Sequence, residues 1–330
     1  EVITCAMGFP TTINPIIQNG LVPVFLDAKI SNYNINDNVL EQALSKKTKA
    51  IFIAHTLGNP FNLDKIQKFA KKYNLFLIED CCDALGAEFK GKKVGTFGDI
   101  ATLSFYPAHH ITMGEGGGIF CKSSKLKKII ESLRDWGRDC WCETGCDNTC
   151  KKRFGWNFGS LPNGYDHKYT YTNLGYNLKI TDIQAAIGLA QFARLEEFIK
   201  IRRKNFLYLK SLLLKLNKYF LLPNATPNSN PSWFGFPLTI KTNSKITRHH
   251  LINYLENKNI STRLLFGGNI TKQPYMLNQK YRTIGNLNVS NRIMKNSFWV
   301  GIYPGLQKRH LKYVSNTLEN YCNIYGNNKL

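Results

Sequence analysis

A chain of 330 residues suits one two-lobed enzyme subunit or two modest domains and is ample for a buried core. With 43% hydrophobic and 20% charged residues it reads as a folded protein, and no apolar run approaches the roughly 18 residues a membrane-crossing helix needs. Its 44 basic and 22 acidic residues leave a net charge of +22, which favours anionic partners, yet the basic residues are scattered and no nucleic-acid-binding signature accompanies them.

The opening stretch, EVITCAMGFPTT, reads as a strand already inside a domain, so further chain ahead of Glu1 is expected. Short apolar runs then alternate with helical patterns. Strands are predicted at Val2–Cys5, Val22–Phe25, Ala50–Ala54, Leu75–Glu79, Ile100–Phe105 and Gly118–Cys121. Helices are predicted near Pro10–Gln18, Val39–Ser45, Leu63–Tyr73 and Lys125–Trp136. This alternation predicts an α/β fold with a mainly parallel sheet covered on both faces.

Ligands of such sheets collect outside the carboxyl ends of the strands. There LFLIEDCCDALGA places Glu79 and Asp80, as a helix cap or as the counter-charge of a cationic ligand. Further on, TLSFYPAHHITMGEGGGIF carries Ser104 off a strand, then His109 and His110, then Gly114, Gly116, Gly117 and Gly118. Those glycines let the backbone approach a ligand, or form a tight turn.

Residues 137–173 break the alternation. They are rich in Cys, Gly, Asn and aromatics, and a loop of that length is usually functional. Cys140, Cys142, Cys146 and Cys150 crowd into eleven residues of a chain with nine cysteines. An odd count with this spacing predicts metal ligands in a reducing, cytoplasmic setting rather than a disulfide framework. Trp136, Trp141 and Trp156 surround the loop as core, as a shield or as a docking surface.

A long helix is expected next. Thr181 and Gln184 have capping-box spacing, and Ile183, Ala186, Ile187, Ala190 and Ala193 make one apolar stripe that continues towards Leu216. A Pro/Asn-rich connector leads to WFGFPLTI, a strand, and to a smaller α+β lobe. The organisation predicted is a large cofactor-binding domain over 1–195, including the cysteine-rich loop, and the connecting helix with a small C-terminal domain over 196–330.

Four stretches, EVITCAMGFPTTINPIIQNGLVPVFLD, IEDCCDALGA, GTFGDIATLSFYPAHHITMGEGGGIF and NLGYNLKITDIQAAIGLAQ, resemble in order the DegT/DnrJ/EryC1/StrS family across essentially the whole chain. The resemblance implies a fold-type I, pyridoxal-phosphate-dependent transferase fold. In that family the loop after the serine-bearing strand reads S-F-x-P-x-K, and its lysine forms the Schiff base with the cofactor. Five residues on from Ser104 this chain has His109. A histidine cannot make that link, but it can act as a base near neutral pH.

The resemblance therefore implies the branch that holds pyridoxamine 5′-phosphate without a covalent bond and dehydrates nucleotide sugars. RDWGRDCWCETGCDNTCKKRFGW, STRLLFGGNITKQPY and NSFWVGIYPGL are similar to members acting on CDP-4-keto-6-deoxy-D-glucose. The reaction implied by that resemblance is C3 dehydration to a 3,4-glucoseen, on the route to the 3,6-dideoxyhexoses of O-antigen lipopolysaccharide. That branch binds a 2Fe–2S cluster through C-x57-C-x-C-x7-C, and Cys82, Cys140, Cys142 and Cys150 match all three spacings. One-electron chemistry implies an NADH-dependent flavin and iron–sulfur reductase as partner.

By motif position, the resemblance gives His109 the proton transfer and Asp80 the pyridine nitrogen. Phe9 would stack on the ring, Asp83 would lie near its hydroxyl, and Ser104 would contact the phosphate. Asn177 would reach the phosphate across a homodimer interface. Arg263, Lys272 and His110 are assigned to the sugar or its diphosphate. The family's first phosphate-binding loop is expected ahead of Glu1. Alternatives stay open at this point: a local zinc site that takes Cys146 in place of Cys82, a sugar aminotransferase, or a non-catalytic basic metal-binding module.

Overall fold

The apolar runs of the first 121 residues become the strands of one sheet. They are β1 (Val2–Cys5), β2 (Pro23–Leu26), β3 (Ala50–Ala54), β4 (Phe76–Asp80), β7 (Ile100–Ser104) and β8 (Gly117–Cys121), while β5 (Glu88–Phe89) and β6 (Lys92–Lys93) form a small hairpin outside that sheet. The helices α1 (Pro10–Gln18), α2 (Leu40–Ala43) and α3 (Leu63–Lys72) lie between them. The structure is a computed structural model and describes residues 1–142 and 145–326, so Glu143 and Thr144 of the cysteine-rich stretch lie outside the described residues. Two units divide the chain, one of Glu1–Phe120 with Ile187–Leu330 and one of Cys121–Ala186.

The remaining elements are α4 (Ser124–Arg134), α5 (Asp182–Phe192), α6 (Leu195–Leu213), β9 (Phe220–Leu221), β10 (Ser229–Asn230), β11 (Gly235–Ile240), α7 (Arg248–Glu256), β12 (Thr262–Arg263), β13 (Arg282–Thr283), α8 (Asn288–Asn296), β14 (Ser297–Gly301) and α9 (Lys308–Tyr325). The large sheet has the order β13-β2-β1-β3-β4-β7-β8, and the register-paired neighbours from β13 to β7 run parallel. Its strands are nearly continuous apolar runs because helices cover both faces. Ile3, Val24, Ile51, Ile53 and Leu77 are buried, and α3 lays Leu63, Ile66, Phe69 and Ala70 on them at helical spacing.

A second, antiparallel sheet, β12-β14-β11-β9, carries the smaller α+β lobe. Its core joins Phe236, Leu238 and Phe298 to Leu209 and Leu213 of α6 and to Leu311 and Leu318 of α9. One strand not predicted from the sequence is β13, which leaves this C-terminal half and extends the edge of the large sheet at β2. Arg282 on β13 forks onto the Glu1 carboxylate at 3.2 and 2.9 Å, and that partner draws the Glu1 carboxyl down to about 2.

The expected long helix is two. Thr181 and Gln184 do form the capping box, with the Thr181 amide donating to Gln184 Oε1 at 2.8 Å and the Gln184 amide to Thr181 Oγ1 at 3.3 Å. The helix then breaks at Arg194, whose ψ is near zero. Neither Pro nor Gly forces the break. Leu195 and Ile199 instead pack on Ile111, which sets the start of α6. Among the described residues nothing covers the large apolar side chains of α5: Ile183 is 76% exposed, Leu189 72% and Phe192 63%.

Candidate active site

Strand alternation sends the two carboxylates at the end of β4 to opposite faces. Glu79 is fully buried. It accepts from the amides of Gly95, Phe97 and Gly98 at 2.9, 2.9 and 2.6 Å and from His55 Nε2 at 3.1 Å. Burial alone would raise its pKa, but the His55 bond and the backbone amides outweigh it and hold the carboxyl below its usual value. His55 Nδ1 accepts the Phe61 amide, which fixes the proton on Nε2. Glu79 is therefore a spent group that pins the loop after β6.

Asp80 faces the other way. Thr12, in the first turn of α1, donates its hydroxyl to Asp80 Oδ2 at 2.6 Å, and the Cys82 amide donates to Oδ1 at 3.1 Å. Asp80 is buried, and among the described residues no cation pairs with it. A buried carboxylate held only by neutral donors fits a cationic ligand, and a protonated pyridine nitrogen is one. Thr12 was not picked out from the sequence, although it lies inside the GFPTT motif.

His109 follows β7 in a turn, its amide donating to the Tyr106 carbonyl at 2.9 Å. Its Nε2 is 3.4 Å from Asp83 Oδ1, and its ring packs edge-on to Tyr106 and against Phe234. Among the described residues His109 Nδ1 and Asp83 Oδ2 are buried without a hydrogen-bond partner. Burial pushes the Asp83 carboxyl up, opposed by His109, and the nearby Asp80 charge adds to the rise. The sequence did not reveal this pair, because Asp83 and His109 are 26 positions apart and meet only at the sheet edge.

His110 is buried and donates Nε2–H to the Ser232 carbonyl at 2.8 Å; burial, with Arg202 nearby, holds its pKa well below the usual range. It supports the loop as a neutral ring. Ser104 ends β7, its hydroxyl accepting the Tyr106 amide at 3.3 Å. Phe9 caps α1, half exposed, edge-on to Phe266. The Gly267 amide donates to the Gly8 carbonyl at 3.0 Å and the Ile270 amide to Ala6 at 2.8 Å, so the segment from Arg263 to Lys272 runs beside Phe9. Arg263 and Lys272 are both exposed. A cleft of about 590 Å³ opens beside His109, lined also by Arg194, Arg202, Trp299 and Tyr303. That volume is typical of a small-molecule site.

In the unit Cys121–Ala186, the chain returns to its starting point where Gly137 (φ +83°) meets Gly175. A Cβ on Gly137 would sit 1.7 Å from the Asn173 carbonyl oxygen. Ion pairs take the place of a core here. Arg153 forks onto Asp166 at 2.9 and 2.7 Å, and Asp147 bridges Arg153 and Lys168. Trp136 and Trp141 are not core either; cations cover their faces, Lys179 at 3.4 Å from the Trp136 centroid and Lys128 at 4.7 Å from that of Trp141.

Three of the predicted sulfur ligands, Cys140, Cys142 and Cys150, lie in this unit, near enough for each to perturb its neighbours' thiols. The Thr149 hydroxyl, with its sulfur and backbone neighbours, draws Cys142 down to about 7, whereas burial raises Cys140. Such a thiol set fits a metal centre. Cys146 is exposed. Cys82 stands two residues past β4, where burial and Asp80 keep its thiol well above the usual range. Asn177 is exposed and accepts from Lys179 at 3.3 Å.

Parallel sheet, carboxylate at its C-terminal edge and smaller antiparallel lobe together define the pyridoxal-phosphate-dependent aminotransferase fold. More narrowly, residues 1–319 match the DegT/DnrJ/EryC1/StrS aminotransferase family, and the chain belongs to it. It is 61% identical over 324 residues to the lipopolysaccharide biosynthesis protein RfbH of Salmonella typhimurium, covering 98% of this chain and 74% of that one. It is 53% identical over 321 residues to the dTDP-4-dehydro-2,6-dideoxy-D-glucose 3-dehydratase of Saccharopolyspora spinosa, covering 97% and 69%. Among solved structures, GDP-4-keto-6-deoxy-D-mannose-3-dehydratase of E. coli with bound hydrated PLP superposes with a TM-score of 0.85 at 30% identity, over 96% of this chain and 79% of that one.

Proposed function

We propose that the chain is a nucleotide-sugar 3-dehydratase working with pyridoxamine 5′-phosphate, and that its substrate is CDP-4-keto-6-deoxy-D-glucose. One observation carries this reading: an imidazole anchored by a carboxylate stands on the loop where relatives that transaminate carry a lysine. Of the three relatives described above, the two whose names give a reaction on a sugar are 3-dehydratases, which supports it.

When bound, the cofactor would supply an amine for the sugar ketone and a ring that accepts electrons. Asp80 would neutralise the ring nitrogen, with Thr12 fixing the carboxylate. Phe9 would cover the ring face, Asp83 would lie by its hydroxyl, Ser104 would take the phosphate, and Asn177 of a second copy would complete the phosphate site. Asp83 holds the proton of His109 on Nε2, so Nδ1 carries the lone pair that accepts a proton in the reaction. Arg263, Lys272 and Arg194 are the cations placed for a diphosphate, and His110 stiffens the loop behind the sugar.

Cys140, Cys142 and Cys150, with Cys82 as the fourth ligand by spacing, would hold a 2Fe–2S centre that passes electrons singly from an NADH-dependent flavin and iron–sulfur reductase. The organisation would be a cofactor domain over 1–195 and a small domain over 196–330, acting as a homodimer in the cytoplasm, on the way to the 3,6-dideoxyhexoses of O-antigen. The test is anaerobic purification with iron and sulfide analysis, followed by turnover of the CDP-sugar. Two irons and two sulfides per chain are expected, with loss of the 3-hydroxyl and no amine in the product. Transamination from glutamate would reject the dehydratase, and zinc alone would reject the redox half.

A further inference from the structure

The ring of His167 is 1% exposed, and among the described residues neither of its nitrogens has a hydrogen-bond partner. Leaving a buried donor unmade costs about 1–3 kcal/mol, so an imidazole orphaned at both nitrogens needs a reason. Its position is firmly set. The His167 amide donates to the Arg153 carbonyl at 2.9 Å, the Thr170 amide donates to the His167 carbonyl at 3.1 Å, and Arg153 is itself forked onto Asp166. The ring lies between Trp141 and Trp156, with centroids 5.7 and 5.9 Å away.

His167 lines a cavity of about 190 Å³ together with Cys140, Cys142, Arg138 and Lys179, all within Cys121–Ala186. Among the described residues the buried Nε of Arg138 has no hydrogen-bond partner either. The cavity is also lined by Asp135, Asp147 and Asn148, but Asp135 is paired with Arg134 and Lys179, Asp147 with Arg153 and Lys168, and Asn148 Oδ1 accepts the Arg153 amide, so the acceptors left to these N–H donors are the sulfurs of Cys140 and Cys142.

We propose that His167 donates a ring N–H to a sulfur of the iron–sulfur centre held by Cys140, Cys142 and Cys150, and so sets its potential. The inference rests on the iron–sulfur reading given above. A hydrogen bond to the sulfur stabilises the more negative, reduced cluster, so His167 raises the potential and makes the centre easier to reduce. His167 is a positioning and tuning residue, outside the ligand set.

The test uses the full chain, purified anaerobically, as wild type, His167→Phe and His167→Gln. Phenylalanine keeps a flat ring between the tryptophans and removes the donor; glutamine keeps a donor in a smaller side chain. Iron and sulfide, circular dichroism, the reduced-state electron paramagnetic resonance spectrum and the midpoint potential are measured for each. The inference expects wild-type iron content in both variants, a more negative midpoint for the phenylalanine variant and a midpoint closer to wild type for the glutamine one. An unchanged midpoint in a fully loaded phenylalanine variant overturns it. Loss of iron from a folded phenylalanine variant also overturns it, since His167 would then be a ligand. Wild-type protein without iron and sulfide fails the underlying cluster reading and takes this inference with it.

Discussion

His109 can take a proton only if its ring is held in one tautomer, and Asp83 is the group placed to hold it, 3.4 Å from Nε2. The two residues make separable predictions. His109→Asn should lower dehydration about 10²–10⁴-fold while pyridoxamine phosphate still binds, as read from the cofactor's absorbance after gel filtration. Asp83→Asn should keep the ring in place but release its tautomer, giving a smaller loss of turnover, with the Michaelis constant nearly unchanged. Equal turnover of either variant and wild type would show that the base is elsewhere. At this scale the sequence was informative about His109, because its distance from Ser104 is counted along the chain. It was silent about Asp83 as its partner and about His167, because contacts across a sheet edge or inside an aromatic cage leave no spacing to count.

The elements came out of the sequence where periodicity was strong. β1, β3 and α1 have the predicted limits, and the other predicted strands of the large sheet shift by one residue. Three things were not readable there. β13 is two residues long, too short for a pattern, and it joins the sheet from a distant part of the chain. The break between α5 and α6 comes from packing at Ile111, with no helix-breaking residue to mark it. The division of labour between Glu79 and Asp80 depends on which face of β4 each side chain meets. That last point yields a prediction. Glu79→Gln would set an amide N–H₂ against backbone N–H donors in a buried site, at a cost on the order of 3 kcal/mol. The folded Glu79 carboxyl lies below its ordinary value of 4.5, so its contribution is present above about pH 4.5 and is lost as pH falls through the folded value. Thermal melts should show a lower Tm for the variant at neutral pH and a gap from wild type that narrows as the pH drops below 4.5. A constant gap across that range would mean that Glu79 titrates alike in the folded and unfolded chains.

For the molecule as a whole, the fold class was evident from strand–helix alternation, whereas the cysteine spacing gave only an expectation of metal chemistry. What the spacing left open was which sulfurs meet; Cys140, Cys142 and Cys150 lie in one unit, and Cys146 is exposed. The α5 stripe read from the sequence is apolar but exposed. A helix carrying Ile183, Ile187, Leu189 and Phe192 outward has the composition of a buried element, and among the described residues no segment covers it. A second copy would bury that face and would bring Asn177, a few residues ahead of the helix, towards another chain's phosphate site, which joins assembly to activity. Leu189→Glu should therefore move the mass in solution from twice the chain towards one chain, measured by light scattering during gel filtration, and should weaken retention of pyridoxamine phosphate in parallel. Circular dichroism should stay unchanged, because Leu189 makes no part of the chain's own core. If the wild type already runs as one chain, or if the variant stays dimeric with the cofactor bound, α5 is not the interface and Asn177 does not act across it.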